Sequence, residues 1–113
     1  MKKKLLSSIL TLSLLSLTLS AFASAYDSGG HGFGSSWTAY DDGGTGFNTW
    51  EVKYGFNKYA IDEDFIHGYH NSKGHTVKLT NGNGTYSDSD TAGNWSRVDV
   101  RHSGNAVYYN FNF

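Results

Sequence analysis

The sequence predicts an all-β protein, a small antiparallel β-sandwich of five to six short strands. Apolar residues recur at every second position in several segments, and clusters of Gly, Asn and Asp separate those segments. Beyond the N-terminal region, no segment has the periodicity of an amphipathic helix. The chain has 14 glycines, no proline and no cysteine, so Gly, Asn and Asp must make its turns and packing must hold it together without disulfides.

Five segments have the composition of strands, and the C-terminal one alternates most clearly. Its apolar face, from Val107 to Phe113, is typical of a half-buried antiparallel strand. In the strand that starts at Trp95, the pattern leaves open which face is buried. Residues 57–64 fit no single element, and Asn81-Gly82-Asn83-Gly84 predicts a tight hairpin turn. The five segments are 50–56, 65–69, 75–80, 95–101 and 107–113.

The N-terminal 25 residues have the three parts of a secretory signal peptide. Three lysines at positions 2–4 precede an apolar run over 5–19, and Ala21-Phe22-Ala23-Ser24-Ala25 supplies small residues for cleavage. We expect the cut after Ala25, with a cut after Ala23 as the alternative. The run is shorter than the roughly 20 residues that cross a bilayer. The protein is therefore predicted to be secreted and extracellular, and no later segment is apolar enough to span a membrane.

Cleavage after residue 25 would leave a chain of 88 residues that makes one domain. Its six basic and ten acidic residues give a net charge of −4, and 17 of its residues are aromatic. We divide it into a Gly/Ser/Asp-rich extension, 26–42, and a β-sandwich domain, 43–113. Residues 29–37 weakly echo residues 43–50, so the extension is either a duplicated strand start or a flexible arm.

The sequence lacks the motifs of common catalytic and metal sites. It has no HExxH, no Gly-x-Ser-x-Gly and no EF-hand spacing, and its clustered histidines fit polar hairpin residues better than zinc ligands. We therefore expect no enzyme activity, no catalytic residues, no metal, no cofactor and no nucleic-acid partner. Trp95 and Tyr108 fall on strand faces where they form either a binding surface or lids on the core.

A succession of motifs between Gly43 and Phe113 resembles the lactococcin 972 family of bacteriocins. The motifs are Gly43-Gly44-Thr45, Tyr69-His70 followed by Lys73-Gly74-His75, Ala92-Gly93-Asn94-Trp95-Ser96, and Tyr108-Tyr109-Asn110. The resemblance implies a small secreted β-sandwich of Gram-positive bacteria. It also implies an antibacterial protein that binds an envelope component such as lipid II without catalysis. The type member of the family is a homodimer, which makes a homodimer one candidate assembly.

Basic and aromatic residues around two strands give a hypothesis for the binding site. If the fold brings them together, they form a pocket for an anion such as a pyrophosphate, and acid would make it more positive by protonating its histidines. The rival functions are a secreted non-toxic β-module that binds wall glycan or a protein partner, and a small hydrolase or its inhibitor. The predicted binding residues are His70, Lys73, His75, Lys78, Trp95, Arg97, Arg101 and Tyr108.

Overall fold

The computed structural model of the protein describes residues 23–113 and confirms the predicted fold class. These residues form two four-stranded antiparallel sheets that pack face to face. The strands are β1 (Ala23–Asp27), β2 (Trp37–Thr45), β3 (Asn48–Lys58), β4 (Asp62–His70), β5 (His75–Asn81), β6 (Gly84–Asp90), β7 (Trp95–Arg101) and β8 (Tyr108–Asn112).

Each sheet takes strands from both halves of the described chain. Sheet I has the order β1-β8-β5-β6 and sheet II the order β2-β3-β4-β7.

Within residues 23–113, no helix is long and apolar enough to span a membrane. Most of the predicted signal peptide, residues 1–22, lies outside the described part. Its last three residues, Ala23 to Ala25, pair in β1 with Asn110 to Asn112 of β8.

Residues 23–113 contain eight strands, so the predicted five to six is too low. The strands that the sequence pattern missed are β1, β2 and β6, and each lies at the edge of a sheet. Most residues of β6 are exposed, as are those of β2, so neither has an apolar face that alternation could reveal. The predicted boundary between residues 42 and 43 falls inside β2, which pairs with β3 along its whole length.

Alternation along the strands builds the core between the sheets. In β7, Ser96 and Val98 are buried while Arg97 and Asp99 are exposed. The face of this strand that packs into the core, which the sequence pattern did not identify, is therefore the one that carries Ser96 and Val98. At Gly68 of β4, the Phe111 ring lies so close that an added Cβ would come within 2.5 Å of it. The buried apolar cluster consists of Val52, Ile66, Val77, Leu79, Val98, Val107, Tyr109 and Phe111.

Polar contacts also link the two sheets through the core. The Asp64 carboxyl group of sheet II is fully buried, and it accepts a hydrogen bond from the Asn81 amide of sheet I at 3.0 Å. His102 Nδ1 lies 2.9 and 3.0 Å from the two carboxyl oxygens. The Tyr109 hydroxyl donates to the Gly55 carbonyl oxygen, and burial raises the pKa of Tyr109 above its ordinary range.

We expect Gly68→Ala to lower the free energy of unfolding by about 1–3 kcal/mol, because its methyl group would overpack against Phe111 and Val77. Urea unfolding of the purified protein measures this change. Gly32→Ala is the matched control, since no heavy atom lies within 4 Å of a Cβ added there. Equal stability of the two variants would contradict the close packing at Gly68.

We expect Asn81→Ala to lower the free energy of unfolding by about 1–3 kcal/mol, because it leaves the buried Asp64 carboxyl group without one of its donors. The same substitution also frees the Arg101 carbonyl oxygen, which accepts from the Asn81 amide. Lys78→Ala, at an exposed position of the same strand, should change stability by less than about 0.5 kcal/mol. Similar urea midpoints for the two variants would contradict this role of Asn81.

Candidate functional site

The eight predicted binding residues fall in three separate places. Trp95, Arg97 and Arg101 lie on the outer face of sheet II, whereas Lys78 and Tyr108 lie on the outer face of sheet I, on the opposite side of the sandwich. The remaining three, His70, Lys73 and His75, belong to the β4–β5 connection at one end. The structure therefore does not bring these residues into a single pocket.

His70 and His75 are buried at this end of the sandwich and support the β4–β5 connection. His70 Nδ1 accepts hydrogen bonds from the backbone N–H groups of Ser72 and Lys73, both at 3.0 Å. His75 Nδ1 lies 3.0 Å from the Lys73 carbonyl oxygen, to which it donates if it carries the proton. Both Nε2 atoms are buried without a hydrogen-bond partner among the described residues. These contacts make both histidines structural.

The outer face of sheet II instead brings together three basic side chains from three strands. Lys53 of β3 is in register with His67 of β4, and His67 is in register with Arg97 of β7. Neighbouring strands lie about 4.8 Å apart, and paired residues point to the same face of a sheet. Lys53, His67 and Arg97 therefore form a continuous line across the sheet, which we name the basic row.

Two members of the basic row have charges available for a ligand. Among residues 23–113, neither the Lys53 ammonium group nor the Arg97 guanidinium group forms an ion pair. The Lys53 Nζ atom lies 5.9 Å from the centre of the Trp95 ring, in cation–π range. An anion that binds this face would therefore meet two cations, and neither cation would first have to break an ion pair with a carboxylate.

His67 differs from its neighbours in the row because it is already bonded on one side. Its Nε2 atom lies 2.8 Å from the Asp99 Oδ1 atom of β7, and only 9% of the residue is exposed. The Nδ1 atom is buried and has no hydrogen-bond partner among the described residues. The ring also contacts Phe65, with centroids 5.4 Å apart.

Aromatic and acidic side chains flank the basic row. In the next row of the face, Tyr69 and Trp95 are in register, with ring centroids 5.4 Å apart, and Glu51 pairs with Tyr69 on the other side. Tyr40 of β2 pairs with Lys53 and is 75% exposed. The face thus presents aromatic rings beside charges of both signs.

Two shallow depressions lie along this part of the face and share Asp42 and Glu51. One measures about 200 Å³ and extends towards Tyr40, Lys53 and Trp95. The other measures about 390 Å³ and extends towards Trp50 and Tyr69. Their carboxylates accept hydrogen bonds from hydroxyl or amide groups, and their rings can stack on a sugar.

The residues that the sequence prediction omitted from this site are Tyr40, Glu51, Lys53 and Tyr69. Alternation in residues 50–56 already places Glu51 and Lys53 on one face, so part of the signal was present. The register between strands, which brings Lys53 beside His67 and Arg97, cannot be obtained from alternation alone.

Among residues 23–113, no three His, Asp or Glu side chains converge as a metal site would require.

Comparison with known proteins identifies no relative, since no protein-family profile, no curated protein and no solved structure matches this chain. The resemblance to the lactococcin 972 family, with the antibacterial function and the homodimer that it implies, therefore stays an expectation from sequence motifs.

We expect the protein to lose stability in acid because of His70. Burial lowers the pKa of His70 below its ordinary value of 6.5, and the charges of Lys73 and His75 lower it further. Below about pH 6.5 the unfolded chain binds this proton more readily than the folded chain, so acidification favours unfolding. Full stability is expected above this pH, with a progressive loss as the pH falls towards 5. Urea unfolding at several pH values measures the effect.

The matched variants for this measurement are His70→Asn and His31→Asn. An asparagine at position 70 can still accept a backbone hydrogen bond but does not titrate, so its stability should depend less on pH between 5 and 7. His31→Asn changes a histidine outside the β4–β5 connection, whose ring stacks on Trp37, and leaves His70 in place, so the loss of stability in acid that His70 causes should remain. A parent-like pH profile for His70→Asn would contradict the assignment.

Proposed function

We propose that this protein is a secreted antibacterial protein that binds a cell-wall precursor such as lipid II in the envelope of related Gram-positive bacteria, without catalysis. The N-terminal signal sequence and the motifs between Gly43 and Phe113 support export and this target. The observation that carries the binding site is the outer face of sheet II, where the basic row lies beside the half-buried rings of Tyr69 and Trp95.

The chemistry of this face suits a ligand that combines an anion with a sugar. Lys53 and Arg97 supply donors for a phosphate or carboxylate group, and Arg can bind such a group through two parallel hydrogen bonds. Tyr69 and Trp95 offer ring faces for a sugar, while Asp42 and Glu51 accept from its hydroxyl groups. A lipid-linked wall precursor carries a pyrophosphate next to amino sugars. It therefore matches both the cations of this face and its aromatic and acidic side chains.

A second candidate function is a non-toxic module that binds wall glycan. The aromatic and acidic part of the face favours it, because neutral sugars need ring stacking and hydrogen-bond acceptors rather than cations. The two functions differ in their dependence on Arg97, since glycan without a charged group would not need a guanidinium group at that position.

We expect Arg97→Ala to weaken binding of lipid II by at least about tenfold, because charge-assisted hydrogen bonds contribute about 1.5–3 kcal/mol each. Its minimum inhibitory concentration against sensitive Gram-positive indicator strains should rise in parallel. Lys78→Ala is the matched control, because this lysine lies on the outer face of sheet I and is also exposed. Binding is measured on vesicles with and without lipid II.

Three outcomes separate the two functions. Lipid II binding and growth inhibition that both depend on Arg97 support the antibacterial function. Binding to purified peptidoglycan by parent and Arg97→Ala alike, without inhibition of any strain, would replace it with the glycan module. Equal losses for Arg97→Ala and Lys78→Ala would remove the outer face of sheet II as the binding site.

A further inference from the structure

His67 occupies the middle of the basic row, and its protonation state decides the charge of that row. Its neighbours in register are Lys53 on β3 and Arg97 on β7, and its hydrogen-bond partner Asp99 is also on β7. Glu51 on β3 and Asp42 on β2 lie one row away, and the Asp88 carboxylate of β6 accepts a hydrogen bond from the Arg97 backbone N–H at 2.8 Å. With a neutral imidazole, these carboxylates and Asp99 outnumber the two cations, and protonation of His67 would reduce that negative excess by one charge.

The hydrogen bond to Asp99 identifies the atom at which the proton would be added. In a neutral imidazole only one nitrogen carries hydrogen, and a carboxylate oxygen can only accept. The proton of neutral His67 is therefore assigned to Nε2, which faces Asp99 at 2.8 Å. Nδ1 is then the nitrogen that is free to gain a proton, and the resulting imidazolium would form an ion pair with Asp99.

Protonation of His67 and binding of an anion in the row should favour each other. Without an anion, an imidazolium at position 67 is attracted by Asp99 and repelled by Lys53 and Arg97, which lie about one strand spacing away. An anion held by Lys53 and Arg97 offsets that repulsion, because it attracts all three cations. The coupling free energy is the same in both directions. The bound anion therefore makes His67 easier to protonate, and protonated His67 makes the row bind the anion more tightly.

We propose that the basic row is a proton-coupled site for a phosphate-type anion, which it binds more tightly as the pH falls from 7.5 to 5.5. This inference rests on the proposed function, because it concerns the same face and the pyrophosphate part of the same ligand. At this spacing, a screened Coulomb interaction between the anion and the added charge on His67 corresponds to about a three- to tenfold gain in affinity.

The probe for the test is a soluble nucleotide sugar, UDP-N-acetylglucosamine. Its pyrophosphate diester stays fully ionised between pH 5.5 and 7.5, whereas inorganic pyrophosphate would itself titrate in that range. Titration calorimetry at both pH values gives the affinity, and free N-acetylglucosamine serves as the probe without the anion. Tryptophan fluorescence at each pH confirms that the protein is folded, because acid also lowers its stability through His70.

Two glutamine variants separate His67 from the other histidines. His67→Gln keeps a side-chain N–H for Asp99 but cannot gain a proton, so its affinity should not rise between pH 7.5 and pH 5.5. His31→Gln changes a histidine of the β1–β2 connection and should keep the parent's three- to tenfold rise.

The possible results distinguish this inference from the proposed function. A rise in the parent and in His31→Gln that is absent in His67→Gln supports the proton-coupled site. Parent affinity that does not change with pH, or a rise that His67→Gln retains, overturns the coupling and leaves the binding face in place. No binding of the nucleotide sugar at either pH, with lipid II still bound through Arg97, overturns the anion site alone. Failure to bind both ligands overturns the proposed function as well.

Discussion

The buried Asp64 carboxyl group imposes a constraint on which much of this cysteine-free sandwich depends. It lies on β4 of sheet II and is held by His102 from the end of β7 and by Asn81 from sheet I. A buried polar group is tolerated only when its partners are in place, so this contact fixes how the two sheets are aligned. The surrounding aromatic core supplies apolar burial, whereas the Asp64 contacts add a geometric requirement that apolar packing alone does not impose.

The alignment of β4 also determines what the protein presents to solvent. Because Asp64, Ile66 and Gly68 face inward, the alternate residues of β4 must face outward, and His67 is one of them. The register with β3 and β7 then places Lys53 and Arg97 on either side of it. The same inward contacts that stabilise the sandwich therefore arrange the basic row, and the proposed binding face needs no loop of its own.

The sequence was sufficient to predict the fold class and the central strands, because their inner faces are apolar at every second position. It was not sufficient for β2 and β6, which expose most of their residues and owe their strand conformation to pairing with β3 and β5. The site was predicted only in part. Trp95 and Arg97 were named, but His70 and His75 were assigned to a pocket that they do not line, since neither alternation nor spacing shows that both rings turn into the core. Lys53 was not included because strand register depends on tertiary contacts.

We propose that the outer face of sheet II, and not that of sheet I, binds the envelope ligand. The most direct measurement is a titration of isotopically labelled protein with a soluble lipid II analogue, followed through the backbone amide resonances. We expect shifts concentrated at Lys53, His67 and Arg97, with Thr76 and Lys78 unchanged. Shifts confined to Thr76, Lys78 and their neighbours on sheet I, or no shifts at saturating ligand, would contradict it.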